Sequence, residues 1–304
     1  MSVKLKSDSF APEGIILERV AAILIILKLL MLFSINKIFM LHQITIKSLA
    51  ILILYCLLFS SCSNPYNKIT SSALPVSHHL FDSLLQKHVD KDGWVNYEGI
   101  IQDSVLLNDY LIHLSKNPPD TATWTKQEEM TYWINAYNSF TLKLVIMHFP
   151  IQSIKDIGSK ISIPFINSVW DIKFIKIGDH ELDLNNIEHD ILREKFNDPR
   201  IHFAINCASI SCPKLLNKAY FASTIDKTLS ERSKNFINDM NKNIITSKNV
   251  EVSKLFLWYG DDFTKKGSLI DYLNEYSKIK IEKDAKISYK EYDWKLNKNS
   301  NSDI

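Results

Sequence analysis

The residues best suited to chemistry lie close together in the second half of the chain. Cys207 and Cys212 are five residues apart, and His202 precedes both. A thiolate is a strong nucleophile, and a histidine beside it can take the thiol proton. This stretch therefore predicts, as one function, a cysteine-dependent hydrolase or acyl-transfer enzyme with His202 as the base.

Cys212 is the better candidate for the nucleophile. Residues 201–207 have the apolar pattern of a short strand, on which Cys207 falls on the face opposite His202. Pro213 suits the first residue of a helix. We therefore expect Cys212 at a helix N-terminus, where exposed amides stabilise a thiolate.

Three other interpretations of the two cysteines stay open. In an exported protein, a close pair predicts the disulfide Cys207–Cys212. Both cysteines could instead be buried free thiols. Together with His189 and His202 they could also bind zinc, but their spacing lacks the Cys-x2-Cys signature. We predict no metal and no cofactor.

Two asparagines, Asn135 and Asn138, interrupt the long apolar segment at residues 126–148. Buried amides need hydrogen-bond partners, so these side chains either tie the segment to neighbouring backbone or line a site. For a site, we predict Asn135 as a third catalytic residue and Asn138 as a binding residue. We then expect both to meet His202 and Cys212 in one polar centre.

Three further residues are candidates for binding: Cys207, His189 and Arg200. For His189 and Arg200, a purely structural role is the alternative. His189 could pair with Glu188 or Arg193 on its own helix, and Arg200 could anchor a loop.

The segment 126–148 predicts the central element of the fold. Thr125 and Glu128 form a capping-box pattern at its start, and its apolar residues point in almost all directions, as in a buried helix. We predict a single α+β domain at residues 77–296, with helices packed around a small mixed or antiparallel sheet. A disordered tail is expected at residues 297–304.

Two hairpins are expected to supply strands, the first at 170–177 with 182–184 and the second at 244–246 with 250–253. Between the second hairpin and the end of the domain lie Asp261 and Asp262. They could complete an acidic group, but we favour a solvated turn for both.

Residues 41–62 have the layout of a bacterial lipoprotein signal. Lys47 precedes an apolar run at residues 49–59, and two serines separate this run from Cys62. The run is shorter than the ~20 residues that span a bilayer and suits the core of a signal peptide. We therefore predict that Cys62 is lipidated.

The same pattern predicts a leader at residues 1–61 and a tether at residues 62–76. We expect the signal peptide to start at Met40, which makes residues 1–39 an artefact of gene prediction. Alternatively, residues 15–33 are a membrane segment. Both alternatives place the domain in the cell envelope, held at a bacterial membrane outside the cytoplasm.

The charge of the chain bears on its partners. The formal net charge is only +2, so the chain lacks the strong positive field that attracts polyanions. We predict no nucleic-acid partner. The expected partners are the membrane, through the lipid anchor, and an unidentified small-molecule or peptide ligand.

Five segments in order resemble the family called domain of unknown function 547. They are residues 92–97, 132–142, 187–193, 198–204 and 206–213, the last reading NCASISCP. The resemblance covers roughly residues 78–263 and implies a shared fold. It implies no activity, because no reaction is established for the family.

Two functions therefore remain. The first is the cysteine-dependent enzyme, acting on a peptide-like or amide-like substrate. The second is a noncatalytic binding protein of the cell envelope, with a structural disulfide and a structural polar centre. The state of both sulfurs and the position of His202 relative to Cys212 distinguish them.

Overall fold

The computed structural model describes residues 73–159 and 168–299, together with Lys28 and Met31. Apart from Lys28 and Met31, the predicted leader lies outside the described residues, as do Cys62 and most of the predicted tether. From residue 73 onward the described chain belongs to one compact unit. Within the described residues, no helix is both long enough and apolar enough to cross a membrane.

The first half of the domain is helical. Its helices are α1 (His79–His88), α2 (Tyr97–Gln102), α3 (Ser104–Lys116) and α4 (Lys126–His148). The bounds of α4 agree with the prediction, and most of its residues are buried. The predicted capping box also forms, because the Thr125 hydroxyl accepts the Glu128 N–H at 3.2 Å and the Glu128 carboxylate accepts the Thr125 N–H at 2.7 Å.

Short elements follow α4, among them a π-helix. They are α5 (Lys155–Ser159), a 3-10 helix (Val169–Asp171), β1 (Ile175–Ile177), β2 (His180–Leu182), a π-helix (Asn186–Arg193) and α6 (Glu194–Phe196). β1 and β2 pair antiparallel around Gly178, whose φ is 57°. The first predicted hairpin therefore forms, but β1 is shorter than predicted and β2 begins two residues earlier than predicted.

Residues 201–207, predicted as a strand, do not form one. Their first part completes a 3-10 helix, Pro199–Phe203, and the rest is irregular. The Asp198 carboxylate accepts the Arg200 N–H at 3.0 Å at the start of this helix. A capping carboxylate followed by proline favours a helical turn over an extended start, and this local signal outweighs the apolar pattern.

The helix predicted after Cys212 is also absent. Side chains from elsewhere take the carbonyls that a helix would use. Asn206 donates to the Pro213 carbonyl at 2.7 Å, and Arg232 donates to the Lys214 carbonyl. With these carbonyls satisfied, the backbone stays irregular and Cys212 lies at no helix N-terminus.

The second half contains a three-stranded sheet and four helices. In chain order the elements are a 3-10 helix (Ala222–Thr224), α7 (Ile225–Ile237), β3 (Ile244–Ile245), β4 (Asn249–Val252), α8 (Leu255–Trp258), α9 (Gly260–Phe263), α10 (Leu269–Tyr276) and β5 (Lys286–Tyr289). β4 pairs antiparallel with β3 and parallel with β5, so the sheet is mixed. The predicted α+β class and the second hairpin are confirmed.

The chain after β5 packs back onto the first half of the domain. Leu296 bridges to Ser209, and Lys298 bridges to Val95. Asn297, which the prediction placed at the start of a disordered tail, is buried and accepts a hydrogen bond from the Tyr97 hydroxyl at 2.6 Å. The predicted tail boundary is therefore wrong at this residue, because a partner 200 positions earlier holds it.

Candidate active site

A cavity of about 200 Å³ brings the candidate thiols and His202 together. Cys207, Cys212 and His202 all line it, as does Glu188. Six aromatic side chains form much of the wall: Tyr137, Trp170, Trp258, Tyr259, Tyr292 and Trp294. We call this space the aromatic cavity.

The π-helix positions the acidic part of the wall. π-helical turns are rare and frequently occur at functional sites. Here the turn places buried Glu188 in the cavity wall, with Arg193 five residues further along the same helix. Burial, followed by the Glu188 carboxylate to which its hydroxyl bonds, raises the pKa of Tyr259 well above its usual range.

His202 is held by a hydrogen bond at Nε2 and by stacking of its ring. Its Nε2 lies 2.7 Å from the Asp262 carboxylate, and its ring stacks on Tyr259 with centroids 4.0 Å apart. Burial lowers the pKa of His202 despite the nearby carboxylate, so the ring is neutral at pH 7. With Nε2–H donating to Asp262, Nδ1 is left as an acceptor, and it has no partner among the described residues.

Asp262, expected in a solvated turn, is a buried member of this site. The turn prediction is wrong for this residue, which is 8% exposed. Its Oδ2 accepts from Arg193 Nε at 2.6 Å as well as from His202. Burial opposes its ionisation, but His202 and Arg193 outweigh burial and hold its pKa well below the usual range. No local sequence pattern indicated that Asp262 belongs to this site, because its partner His202 lies 60 residues earlier in the chain.

Cys207 has the environment of a reactive thiol. It is partly exposed, and its Sγ lies 3.2 Å from the Ser209 hydroxyl and 3.3 Å from the Tyr292 hydroxyl. Burial opposes ionisation, but hydrogen bonds from Cys212 and these hydroxyls outweigh it and lower the pKa of Cys207 to about 7. The next residue, Ala208, has a φ of 61°, a strained conformation that often occurs at functional sites.

Cys212 is the less reactive thiol. It is buried, and its Sγ accepts the Cys207 backbone N–H at 2.9 Å. Burial and the neighbouring Cys207 sulfur raise its pKa well above the usual range. Both cysteines are free, so the disulfide alternative is not formed in this structure. The geometry favours Cys207 over Cys212 as the nucleophile.

The two asparagines of α4 bind backbone and do not line the aromatic cavity. Asn135 donates to the Tyr220 carbonyl at 2.9 Å and accepts the Tyr220 N–H at 3.0 Å. Asn138 donates to the Ala204 carbonyl at 2.9 Å and accepts the Asn206 N–H at 2.8 Å. Irregular backbone beside a buried helix needs such partners, which accounts for both amides.

The predicted polar centre therefore forms only in part. His202 and Cys212 do line one cavity, whereas the asparagines hold the backbone behind it. Sequence reasoning missed three residues of this site: Glu188 as a cavity residue, Asp262 and Tyr292. Their partners are distant in sequence, so spacing carried no signal for them.

The remaining binding candidates lie outside the cavity wall. His189 accepts from Arg193 Nη1 at 2.8 Å, which is the pairing on its own helix that the sequence offered as an alternative. Arg200 bonds to Asp198 and to Asp226 at 2.7 Å each, and so anchors the turn at residues 198–203 to α7. Both side chains are used in structural contacts.

The zinc alternative has no support in the geometry. Across residues 73–159 and 168–299, no three His, Cys, Asp or Glu side chains are grouped as metal ligands would be.

A comparison with family models identifies the region around the cavity. Residues 121–237 match the model described as protein of unknown function, DUF547. This segment of the chain is similar to the DUF547 family. The match is narrower than the resemblance at roughly residues 78–263, but it includes α4, the π-helix, His202 and both cysteines. Searches of curated proteins and of solved structures found no significant match.

Part of the aromatic cavity lies beyond the segment that matches the DUF547 model. Glu188, His202 and Cys207 fall within the match, while Asp262 and Tyr292 follow it. The matched segment thus supplies the thiol and the imidazole, and the later chain supplies the carboxylate behind the imidazole and a hydroxyl on the thiol.

Proposed function

We propose that this DUF547 protein is a cysteine-dependent hydrolase or acyl-transfer enzyme with Cys207 as its nucleophile. One observation carries the proposal. Cys207 and His202 line the same cavity, His202 Nδ1 has no hydrogen-bond partner among the described residues, and Asp262 bonds to its Nε2. A nucleophile, a base and a group that orients the base are the three parts of such a site.

In the proposed first step, His202 Nδ1 takes the thiol proton of Cys207, and the thiolate attacks the carbonyl carbon of the substrate. A carbon–sulfur bond forms and the bond to the leaving amine or alcohol breaks. The leaving group receives the proton from His202. Asp262 keeps the imidazole in the required tautomer and stabilises its positive charge.

In the second step, the oxygen of water or the nitrogen of an acceptor amine bonds to the thioester carbonyl carbon, and the carbon–sulfur bond breaks to release the product. His202 takes the proton of the attacking group and returns it to the sulfur of Cys207, which restores the free enzyme. Cys212 acts as a positioning residue, since its sulfur accepts the Cys207 N–H and its thiol bonds to the Cys207 sulfur.

We also propose that the protein is exported and anchored to a bacterial membrane through a lipid on Cys62. The support is the order of charged, apolar and small residues at 41–62. The proposed enzyme then acts in the cell envelope on a substrate with a peptide-like or amide-like carbonyl.

Acylation by p-nitrophenyl acetate tests the enzyme proposal, with release of nitrophenol and the intact mass of the protein as readouts. We expect a burst of nitrophenol and one acetyl group on Cys207. Cys207→Ala should abolish the burst, and His202→Ala should slow it at least about 100-fold, the usual contribution of a general base. Cys212→Ala removes the other thiol, and Cys207 should still be acetylated, although more slowly because it loses a hydrogen bond that lowers its pKa.

Circular dichroism establishes that each variant is folded. Acetylation on Cys212, or an equal burst in wild type and Cys207→Ala, would contradict the proposed nucleophile. A folded wild type that shows no burst and alkylates with iodoacetamide only above pH 9 would favour the noncatalytic binding protein, because Cys207 would then lack a lowered pKa.

A further inference from the structure

A buried carboxylate without a cation lies in the wall of the aromatic cavity. Glu188 is 5% exposed, and none of the described residues places a cationic nitrogen within 4 Å of its carboxylate. Its hydrogen-bond partner is the Tyr259 hydroxyl, a neutral group. Burying an ionised carboxylate without a counter-ion lowers the stability of the folded state, so we look for a functional role for Glu188.

The charged groups nearest to Glu188 are already used. Arg193, on the same helix, directs Nε to Asp262 and Nη1 to His189. His202 is neutral, because burial disfavours its protonated form. Among the residues that line the cavity, the charged groups are the Glu188 carboxylate and the Cys207 thiolate, so the net charge is negative.

The rings around the cavity are suited to a cation. Trp258 stacks with Trp294 at 5.6 Å between centroids, and Tyr292 lies 4.5 Å from Trp294. The faces of indole and phenol rings attract cations. Lys155 Nζ already lies 4.5 Å from the centroid of the Trp294 ring, so an ammonium group is accommodated on one of these rings.

We infer that the aromatic cavity binds a primary ammonium group of the substrate, held by the Glu188 carboxylate and the tryptophan rings beside Cys207. A cavity of about 200 Å³ has room for an alkylammonium group. The inference deepens the proposed function by naming the substrate class, an acyl donor or acceptor that carries a free amine. Binding of the ammonium group does not depend on a chemical step at Cys207.

Binding of n-butylammonium, followed by tryptophan fluorescence, tests the inference, with n-butanol as the neutral probe of similar size. Wild type should bind n-butylammonium about tenfold more tightly than n-butanol, as expected for a partly desolvated cation on aromatic rings. Glu188→Gln should remove that preference and leave n-butanol unaffected. Exposed Glu194→Gln is the matched control, since it makes the same charge change outside the cavity.

A second variant covers the case in which Glu188→Gln does not fold. Trp258 is 46% exposed, so Trp258→Leu should fold, and it should weaken n-butylammonium binding several-fold. Equal affinities for the two probes in wild type would overturn the inference. So would a preference for n-butylammonium that survives both substitutions.

The outcomes for binding and for catalysis are separable. Cys207→Ala should lose the nitrophenol burst and keep its preference for n-butylammonium. A protein that forms the acetyl-enzyme but does not prefer the cation refutes the ammonium site and retains the enzyme. A protein that prefers the cation but forms no acetyl-enzyme refutes the enzyme and retains the site.

Discussion

At the scale of single residues, neighbours of the same type have different environments. Cys207 and Cys212 lie five positions apart, yet burial raises the pKa of Cys212 while three hydrogen-bonding groups lower that of Cys207. The difference comes first from the hydrogen bond between the two thiols, which lowers the pKa of Cys207 and raises that of Cys212, and then from the Ser209 and Tyr292 hydroxyls that reach Cys207. The pKa of each thiol therefore depends on its contacts, one of which comes from 85 residues away.

His78 gives a residue-scale prediction about pH. It is buried with its Nδ1 2.7 Å from the Tyr110 hydroxyl, and burial, with smaller effects of His113 and His79, lowers its pKa from 6.5 to about 4. The unfolded chain binds the proton first, so the stabilising contribution is complete above pH 6.5 and is lost as pH falls toward 4. We expect a loss of at most about 3 kcal/mol from this residue.

Urea unfolding at pH 7, 5.5 and 4.5 measures this effect. His78→Gln should flatten the fall of the unfolding free energy over that range, while exposed His148→Gln should leave it unchanged. Part of the slope should remain, because burial also lowers the pKa of His202. Identical slopes for wild type and His78→Gln would contradict the assignment.

At the scale of elements, two helices determine where the site lies. α4 is buried nearly all round and uses Asn135 and Asn138 to hold irregular backbone at Tyr220 and at residues 204–206. The π-helix brings Glu188 to the aromatic cavity. The burial of α4 follows from its local apolar pattern. The position of Glu188 depends instead on how the π-helix packs against its neighbours.

Trp133 on α4 provides the element-scale prediction. Its side chain is 2% exposed and packs edge-on against Tyr132. Trp133→Ala should lower the free energy of unfolding by ~3–5 kcal/mol, the range for emptying a large core site. Met147→Ala, at a position of the same helix that is 55% exposed, should change it by less than about 0.5 kcal/mol. A loss below about 1 kcal/mol in Trp133→Ala would show that α4 is not central.

At the scale of the whole molecule, distant parts of the chain surround one cavity. Tyr137 comes from α4, Glu188 from the π-helix, Trp258 from α8 and Tyr292 from the segment after β5. The terminal segment also bridges to residues 95, 153 and 209. Loss of this segment would remove both a cavity wall and core contacts.

The proposed lipid anchor yields a whole-molecule prediction. Mass spectrometry of the mature protein expressed in a bacterium should find Cys62 as the N-terminal residue, with a lipid on its sulfur. Cys62→Ser should move the protein out of the membrane fraction. Cys56→Ser, within the apolar run, is the matched control and should leave lipidation intact. A mature chain that retains residues 1–61 with unmodified Cys62 would refute the anchor.

The sequence by itself determined the α+β class, α4 with its capping box, the two hairpins and the family resemblance. These depend on residues within a few positions of one another, where spacing and propensity act directly. The sequence also indicated that His202 and both cysteines belong to one site. The strand that it predicted at 201–207 and the helix that it predicted after Cys212 do not form.

Only the tertiary structure decided which cysteine is activated and what orients the histidine. Asp262 meets His202 from 60 residues away, and Tyr292 meets Cys207 from 85. Contacts over such separations arise from packing of whole elements, and burial then determines the pKa of each group. Residue type and spacing encode neither these contacts nor these pKa values, so the proposed nucleophile and the carboxylate beside His202 could be identified only in the folded chain.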